Sequence, residues 1–236
     1  VAALVGRYKD RVCEWEIWNE PGLRKTEPPQ TAETYADFFI RTAETVRSVQ
    51  PKAKILGLSL PGIPLKFAEP VLARIKEQGK TGLLDELTYH PYKPNPDDSY
   101  EAVAKLRELL HSYAPKAIIR QGENGAPSMA GGFGAIAKFD WDEQSQAKWA
   151  LRRLLGDLGR DIPSSYFSIC DMCYPDRVNY KGLLAINPDK TVNHPKQSYH
   201  AVQHLTAVFD DQLQRVRDFS GHVQGGPEGA TYAVFG

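Results

Sequence analysis

Residues 12–21 read VCEWEIWNEP, and the interpretation of the whole chain starts from this stretch. An apolar, strand-like run ends in Glu20, and Pro21 turns the chain immediately afterwards. Residues 116–125, KAIIRQGENG, show the same arrangement, with Glu123 after a second apolar run and glycines on either side of it. In a chain that alternates strands with helices, a carboxylate at the carboxyl end of a strand lies where barrel enzymes keep their chemistry. Two such carboxylates that face each other can cleave a glycosidic bond.

The spacing of apolar residues predicts a strand followed by a helix, five times over. The predicted strands are 14–18, 54–60, 84–89, the run that carries Glu123, and 165–170, and the helices between and after them are 31–50, 65–78, 97–113, 143–158 and 195–209. Such alternation implies parallel strands joined by right-handed helical crossovers. A doubly wound open sheet is the alternative, but the glycine-rich phosphate loop that usually follows its first strand is missing. We therefore expect an α/β fold of the TIM (β/α)8 type, of which this chain holds the portion from about strand 4 to helix 8, with about three β/α units before Val1.

The last part of the chain has a different composition from the rest. Residues 215–236 are polar and rich in glycine, and they close with a strand-like segment at 230–235. We predict two regions: a partial catalytic barrel over residues 1–210, and the start of a C-terminal, β-rich accessory region over residues 211–236. A long loop rich in glycine and alanine is predicted at 125–140.

Composition limits the kinds of partner. Lys and Arg number 29, as do Asp and Glu, so the formal net charge of the 236 residues is zero. That balance argues against binding to nucleic acid or to an anionic membrane, and it is compatible with a neutral carbohydrate. No apolar run approaches the roughly 18 residues of a membrane span, and no signal peptide is visible, although one upstream of Val1 would make the protein secreted or periplasmic. Cys13, Cys170 and Cys173 cannot all pair, and we predict that they are buried as small apolar residues.

The two glutamate motifs resemble those of clan A glycoside hydrolases, (β/α)8 enzymes with one catalytic glutamate after strand four and another after strand seven. Residues 19–21, Asn-Glu-Pro, match the strand-four motif. When the strands are counted from there, Glu123 falls on the seventh. His90 and Tyr92 match a His-x-Tyr pattern that follows strand six in these enzymes. Within the clan, the chain looks most like family 39, with family 5 a close second.

The resemblance implies a retaining glycosidase that cleaves β-glycosidic bonds in a neutral oligosaccharide or polysaccharide, without metal or organic cofactor. Glu20 would be the general acid/base and Glu123 the nucleophile, with their carboxyls roughly 5–5.5 Å apart. Asn19 would hydrogen-bond the sugar 2-hydroxyl, and the Tyr92 hydroxyl would steady the nucleophile. His90 is either a site residue or a structural histidine. The alternative is a carbohydrate-binding barrel without activity, as a pseudoenzyme or as a subunit of an assembly; the oligomeric state is left open.

Other side chains allow two interpretations each. Trp141, in the loop after the predicted seventh strand, is either a sugar-stacking platform or a packing residue at the start of the next helix. Many clan A enzymes carry a tryptophan at the end of strand eight, whereas here Asp171 or Tyr174 would line the site instead. Glu14 and Glu16 are interpreted as a surface charge and a member of a buried ion pair.

Overall fold

The computed structural model describes residues 1–23, 29–217 and 233–236. It divides into two compact units: the first comprises Val1–Lys93, Asp97–Asn124 and Pro163–Ser165, and the second comprises Pro94–Pro96, Gly125–Ile162 and Tyr166–Gly236. The main division therefore follows Asn124. The separation into a catalytic barrel and an accessory region at residue 210 stays a prediction, and residues 230–232 of the predicted C-terminal strand lie outside the described residues.

The first unit is built on a sheet in which the strand order follows the sequence. The strands are β1 (Glu14–Glu16), β2 (Lys54–Leu60), β3 (Glu86–Tyr89), β4 (Ile118–Asn124) and β5 (Ser164–Tyr166), and the helices are α1 (Ala2–Tyr8), α2 (Ala32–Val49), α3 (Leu65–Glu77) and α4 (Tyr100–Tyr113). All neighbouring strands run parallel. The predicted alternation is confirmed, because a helix lies in the chain between each pair of neighbouring strands.

One face of this sheet is apolar and packs against helices. Gly57, Leu87 and Ile119 lie side by side in the parallel register, and the side chains of Leu87 and Ile119 are buried. A Cβ atom at Gly57 would lie 2.4 Å from the ring of Phe39 on α2. Only glycine therefore lets the α2 helix approach the sheet this closely.

The other face carries charge where the strands begin. We call Glu14, Lys54, Glu86 and Arg120 the amino-end charge cluster. The Glu86 side chain is buried, and its carboxylate accepts hydrogen bonds from Lys54 and Arg120. Glu14 lies 3.3 Å from the Lys54 ammonium and 3.4 Å from the Arg120 guanidinium. The buried ion-pair member is thus Glu86 and not Glu16, which accepts its hydrogen bond from the hydroxyl of Thr88; neighbouring strands supply the partners, so sequence spacing does not reveal them.

Within the described residues, the second unit contains two helices and three antiparallel pairs of short strands. They are α5 (Glu143–Leu158), β6 (Met172–Cys173), β7 (Val178–Asn179), β8 (Leu184–Ile186), β9 (Val192–Pro195), α6 (Gln197–Val208), β10 (Arg215–Val216) and β11 (Val234–Phe235). Both predicted helices and the irregular loop at 125–140 are confirmed. The predicted strand at 165–170 is too long, since it ends at Tyr166, and the hairpins at 172–195 were not predicted. Their strands are only two to four residues long, too short to show an alternating pattern.

The prediction of three buried cysteines is wrong. All three are free; Cys13 is exposed, because it precedes the edge strand β1, and Cys170 and Cys173 are half-buried. Within the described residues, no helix is both long and apolar enough to cross a bilayer.

Candidate active site

Glu20 is held at the carboxyl end of β1 by an unusual backbone. Ile17 continues the pairing beyond the strand, its N–H donating to the carbonyl of Leu56 at 2.9 Å. Trp18 and Glu20 then adopt left-handed conformations, with φ of 71° and 51°. The N–H of Glu20 donates to the carbonyl of Ser59 on β2 at 3.0 Å. Non-glycine residues adopt positive φ at a cost, and such residues cluster at functional sites.

A bulge in β2 supplies the support for Glu20. The register with β3 shifts between Gly57 and Leu60, and Leu58 and Ser59 have φ of 70° and 40°. The buried hydroxyl of Tyr35 accepts the Leu58 N–H at 2.8 Å and donates to the carbonyl of Ile17 at 3.1 Å. Burial raises the pKa of Tyr35, so its hydroxyl remains a donor at neutral pH. One side chain on α2 thus ties β1 to the bulge.

His90 follows β3 and lies between the two glutamates. Its side chain is 2% exposed, against 22% for Glu20 and 26% for Glu123. Nδ1 is 3.0 Å from Oε1 of Glu20 and 3.8 Å from Oε2 of Glu123. Nε2 is 3.2 Å from the hydroxyl of Ser59. These contacts make the buried His90 part of the same hydrogen-bond system as the glutamates.

Glu123 lies near the carboxyl end of β4. The hydroxyl of Tyr92 donates to its Oε1 at 2.7 Å. The next side chain, Asn124, donates to the carbonyl of Pro91 at 3.1 Å and so fixes the segment that carries Tyr92. Gly122 avoids a tight contact beneath the site, because a Cβ there would lie 3.1 Å from the Cβ of Thr88. We call Glu20, His90, Tyr92 and Glu123 the carboxyl-end site.

The carboxylates of Glu20 and Glu123 are close together. One atom from each of Glu20, His90 and Glu123 can be chosen so that all three lie within 4.8 Å of one another. Among residues 1–23, 29–217 and 233–236, no Lys or Arg forms an ion pair with Glu20 or Glu123. The same three side chains are the type of donors that bind a divalent cation.

The remaining predicted site residues have different surroundings. Asn19 is exposed beside Glu20 in the first unit. Trp141, in the second unit, is half-buried and donates its indole N–H to the carbonyl of Ile136 at 2.8 Å, which favours the packing interpretation. Tyr174 is exposed, and its ring lies edge-on to that of Phe133, with centroids 6.2 Å apart.

Asp171 is buried in the second unit and already has partners. Its carboxylate accepts hydrogen bonds from Lys196 at 2.6 Å and from the backbone of Gly182 at 3.0 Å. Burial raises the pKa of Asp171 and lowers that of Lys196, against their mutual attraction. These contacts favour a structural role for Asp171, and its contact with a sugar stays a prediction.

The residues that hold the site in place were not predicted from the sequence. Ser59 and Thr88 both lie within buried strands, where a small polar side chain has no distinctive pattern. The one available signal was Gly57, because glycine within a strand often marks a bulge. Tyr35 lies within the predicted helix 31–50, where its spacing indicates burial but not the two hydrogen bonds of its hydroxyl.

No protein-family model matches the chain, and no curated protein matches it in sequence. Several solved structures share its fold. A family 39 glycoside hydrolase from Bacteroides cellulosilyticus superimposes with a TM-score of 0.63 at 20% identity, over 91% of this chain and 44% of its own. A monomeric β-xylosidase from Caulobacter crescentus gives 0.64 at 20% identity, over 92% and 49% respectively. The family 39 enzyme from Xanthomonas axonopodis pv. citri gives 0.64 at 18% identity, over 87% and 45%.

The chain spans about half the length of these structures or somewhat less. The superposition over most of the chain, at about 20% identity, establishes the architecture together with the parallel strand order. The fold is therefore that of a portion of a (β/α)8 barrel, of the kind found in family 39 glycoside hydrolases.

Proposed function

We propose that the protein is a retaining glycoside hydrolase in which Glu20 is the general acid/base and Glu123 the nucleophile. One observation carries the proposal: the two carboxylates follow parallel strands and have oxygens within 4.8 Å of each other. Oxygens this close are compatible with direct attack on a sugar, for which the carboxyls stand about 5–5.5 Å apart.

In the first step, the carboxylate of Glu123 attacks the anomeric carbon while the bond from that carbon to the leaving oxygen breaks. Protonated Glu20 gives its proton to that oxygen. The product is a glycosyl ester on Glu123, and Glu20 is left as a carboxylate. In the second step, Glu20 takes a proton from water as the water attacks the anomeric carbon. The ester bond breaks, Glu123 is again a carboxylate, and Glu20 is again protonated.

A neutral hydrogen-bond donor suits Glu123 as a nucleophile better than a cation would. The Tyr92 hydroxyl donates to Oε1 of Glu123 and fixes the carboxylate without forming an ion pair. A lysine or arginine at that place would stabilise the charge of Glu123 and oppose its loss in the glycosyl ester. Asn19, exposed next to Glu20, is proposed to bind the sugar 2-hydroxyl.

The substrate class is proposed to be a β-linked neutral oligosaccharide or polysaccharide. The zero formal charge of the chain supports a neutral ligand. The structures with the same fold include β-xylosidases, which makes β-xylosides the first substrates to test. Aryl glycosides of glucose, galactose, mannose and arabinose complete the screen.

The decisive experiment compares two alanine variants in the intact protein. Glu123→Ala should abolish turnover, because no glycosyl ester can form, and added azide should restore activity with a product of inverted configuration. Glu20→Ala should lower turnover about 10²–10⁴-fold for poor leaving groups but much less for dinitrophenyl glycosides, and azide should rescue it with retention. Glu44→Ala, an exposed glutamate on α2 paired with Lys80, is the matched control and should stay within about twofold of wild type.

If Glu123→Ala showed the behaviour expected of Glu20→Ala, and Glu20→Ala that expected of Glu123→Ala, the roles of acid/base and nucleophile would be exchanged. Unchanged hydrolysis in both variants would reject the pair as catalytic. Carbohydrate binding by the wild type, without turnover of any glycoside in the screen, would favour the alternative of a binding barrel.

A further inference from the structure

The imidazole of His90 has two different sets of neighbours. Nδ1 faces two carboxylates, at 3.0 Å from Glu20 and 3.8 Å from Glu123. Nε2 faces the hydroxyl of Ser59 at 3.2 Å. Glu16 is also near the ring: a Cβ atom at Gly122 would lie 3.4 Å from its Oε1 and 3.5 Å from Nε2 of His90, and that Oε1 accepts a hydrogen bond from the hydroxyl of Thr88. A neutral imidazole carries one N–H and one acceptor nitrogen, so these neighbours determine which nitrogen holds the proton.

Ser59 is held firmly against the ring. It is fully buried and lies in the β2 bulge with φ of 40°. Its N–H donates to the Thr88 hydroxyl at 3.0 Å, and its carbonyl accepts the N–H of Glu20 at 3.0 Å. The same residue therefore supports the backbone of Glu20 and presents a hydroxyl to His90. A strained conformation that is fixed by three separate contacts is typical of a position under functional constraint.

We propose that Ser59 is a positioning residue that fixes the neutral tautomer of His90, with the proton on Nδ1. The Ser59 hydroxyl donates to Nε2, which leaves Nδ1–H to donate to Oε1 of Glu20. Two carboxylates around Nδ1 favour this arrangement, because a carboxylate can only accept a hydrogen bond.

This tautomer assigns separate tasks to the two oxygens of Glu20; the assignment rests on the proposed function. Oε1 accepts from His90 whether Glu20 is protonated or ionised. Oε2 then carries the proton that goes to the leaving oxygen and later takes one from water. A single state of His90 serves both steps of the reaction. With the opposite tautomer, Nδ1 would be an acceptor and would bind the acidic proton of Glu20, which would divert it from the leaving group.

Nuclear magnetic resonance of the intact protein with isotope-labelled histidine tests the tautomer without requiring activity. Long-range correlations between ring protons and ring nitrogens identify the protonated nitrogen, and His90→Gln assigns the signal. We expect the proton on Nδ1 in the wild type and a shift towards Nε2 in Ser59→Ala. A wild-type ring with its proton on Nε2, or on both nitrogens, would overturn the proposal even if the protein hydrolyses glycosides.

Kinetics provide the second test and separate positioning from folding. Ser59→Ala should lower kcat/KM about tenfold for alkyl glycosides, whose leaving groups need the proton. It should lower kcat/KM less than about threefold for dinitrophenyl glycosides. Ser48→Ala removes a hydroxyl bonded to the Thr45 carbonyl on the surface of α2 and should change neither rate. Equal losses on both substrates would contradict the proposal, since they would indicate general damage to the site.

Discussion

Two carboxylate clusters lie on the sheet of the first unit, and their surroundings differ in one respect. In the amino-end charge cluster, buried Glu86 is matched by two cations, Lys54 and Arg120. Burial alone would raise the pKa of Glu86, but the hydrogen bonds from Arg120 and Lys54 outweigh it, and the pKa is lowered. The hydrogen bond to Glu86 raises the pKa of Lys54 in turn. The charged forms of Glu86 and Lys54 are therefore both favoured, and neither group changes its protonation state near neutral pH.

The carboxyl-end site has the opposite arrangement. Glu20 contacts the imidazole of His90, and Glu123 accepts a hydrogen bond from the hydroxyl of Tyr92. Both carboxylates are partly exposed, while His90 is buried. Within the described residues, these partners are a histidine and a tyrosine, whereas those of Glu86 are a lysine and an arginine.

The partners of the two kinds of carboxylate therefore differ. Cations bind Glu86 and hold neighbouring strands together, whereas Glu20 and Glu123, which we propose to be catalytic, contact His90 and Tyr92. A shifted pKa therefore does not identify a catalytic carboxylate by itself, because the pKa of Glu86 is shifted by ion pairs that are structural. The identity of the neighbouring donors distinguishes the two clusters.

The largest effect should come from removing charge at the structural end. Glu86→Gln should lower the free energy of unfolding by about 3 kcal/mol, because Lys54 and Arg120 lose their buried counter-charge. Glu20→Gln should change it by less than about 0.5 kcal/mol or should stabilise the protein, since it relieves repulsion with Glu123. Urea denaturation of both variants measures the difference. Similar losses in the two variants would remove the distinction between the clusters.

The next effect concerns the support of the carboxyl-end site. Tyr35→Phe should cost about 2 kcal/mol, because the buried N–H of Leu58 loses its acceptor and the carbonyl of Ile17 loses its donor. Tyr113→Phe is the control; its hydroxyl contacts Glu69 at the surface, and the change should stay within about 0.5 kcal/mol. Thermal unfolding and glycosidase assays should show that only Tyr35→Phe lowers both stability and turnover. If Tyr35→Phe changed neither stability nor turnover, the β2 bulge would not depend on this hydroxyl.

Tyr92→Phe should separate function from stability in the other direction. Loss of the hydrogen bond to Glu123 should lower kcat/KM about tenfold, equivalent to about 1.4 kcal/mol of transition-state stabilisation. The hydroxyl lies at a partly exposed site, so the free energy of unfolding should change by less than about 1 kcal/mol. Steady-state kinetics and urea denaturation of the same preparation test both statements. An unchanged kcat/KM would show that Tyr92 does not act on the nucleophile.

The fold was largely predictable because its signals are local. Apolar spacing located the helices, and strand-helix alternation gave the parallel order. Thr31 and Asp142 cap α2 and α5 through contacts within four residues of the chain. The positions of Glu20 and Glu123 at strand ends followed from the same pattern.

The interactions around the site were not predictable, because each joins residues that lie far apart in the chain. Ser59 meets His90 across 31 positions, and Tyr35 meets Leu58 across 23. The β2 bulge changes which side chains point at the site, and a shift of one residue reverses the face of a strand. Periodicity indicates which residues are buried but does not identify the partner of a buried polar group.

The smallest effect is a pH dependence confined to the amino-end charge cluster. The pKa of Glu86 is lower in the folded protein than its ordinary value of 4.5. The unfolded chain therefore binds more protons in this range, and the stability due to Glu86 is present above the ordinary value and is lost as the pH falls through the folded value. The gap in unfolding free energy between wild type and Glu86→Gln should narrow as the pH falls from about 7 to about 4, because a protonated glutamate resembles glutamine. Only part of the gap closes over this range, so the change is smaller than the full effect of the substitution. Titrating groups outside the cluster, Asp171 included, are common to both proteins and cancel in the difference. Chemical denaturation at each pH gives the gap directly. A constant gap would show that the cations do not lower the pKa of Glu86, and a widening gap would show that burial outweighs them.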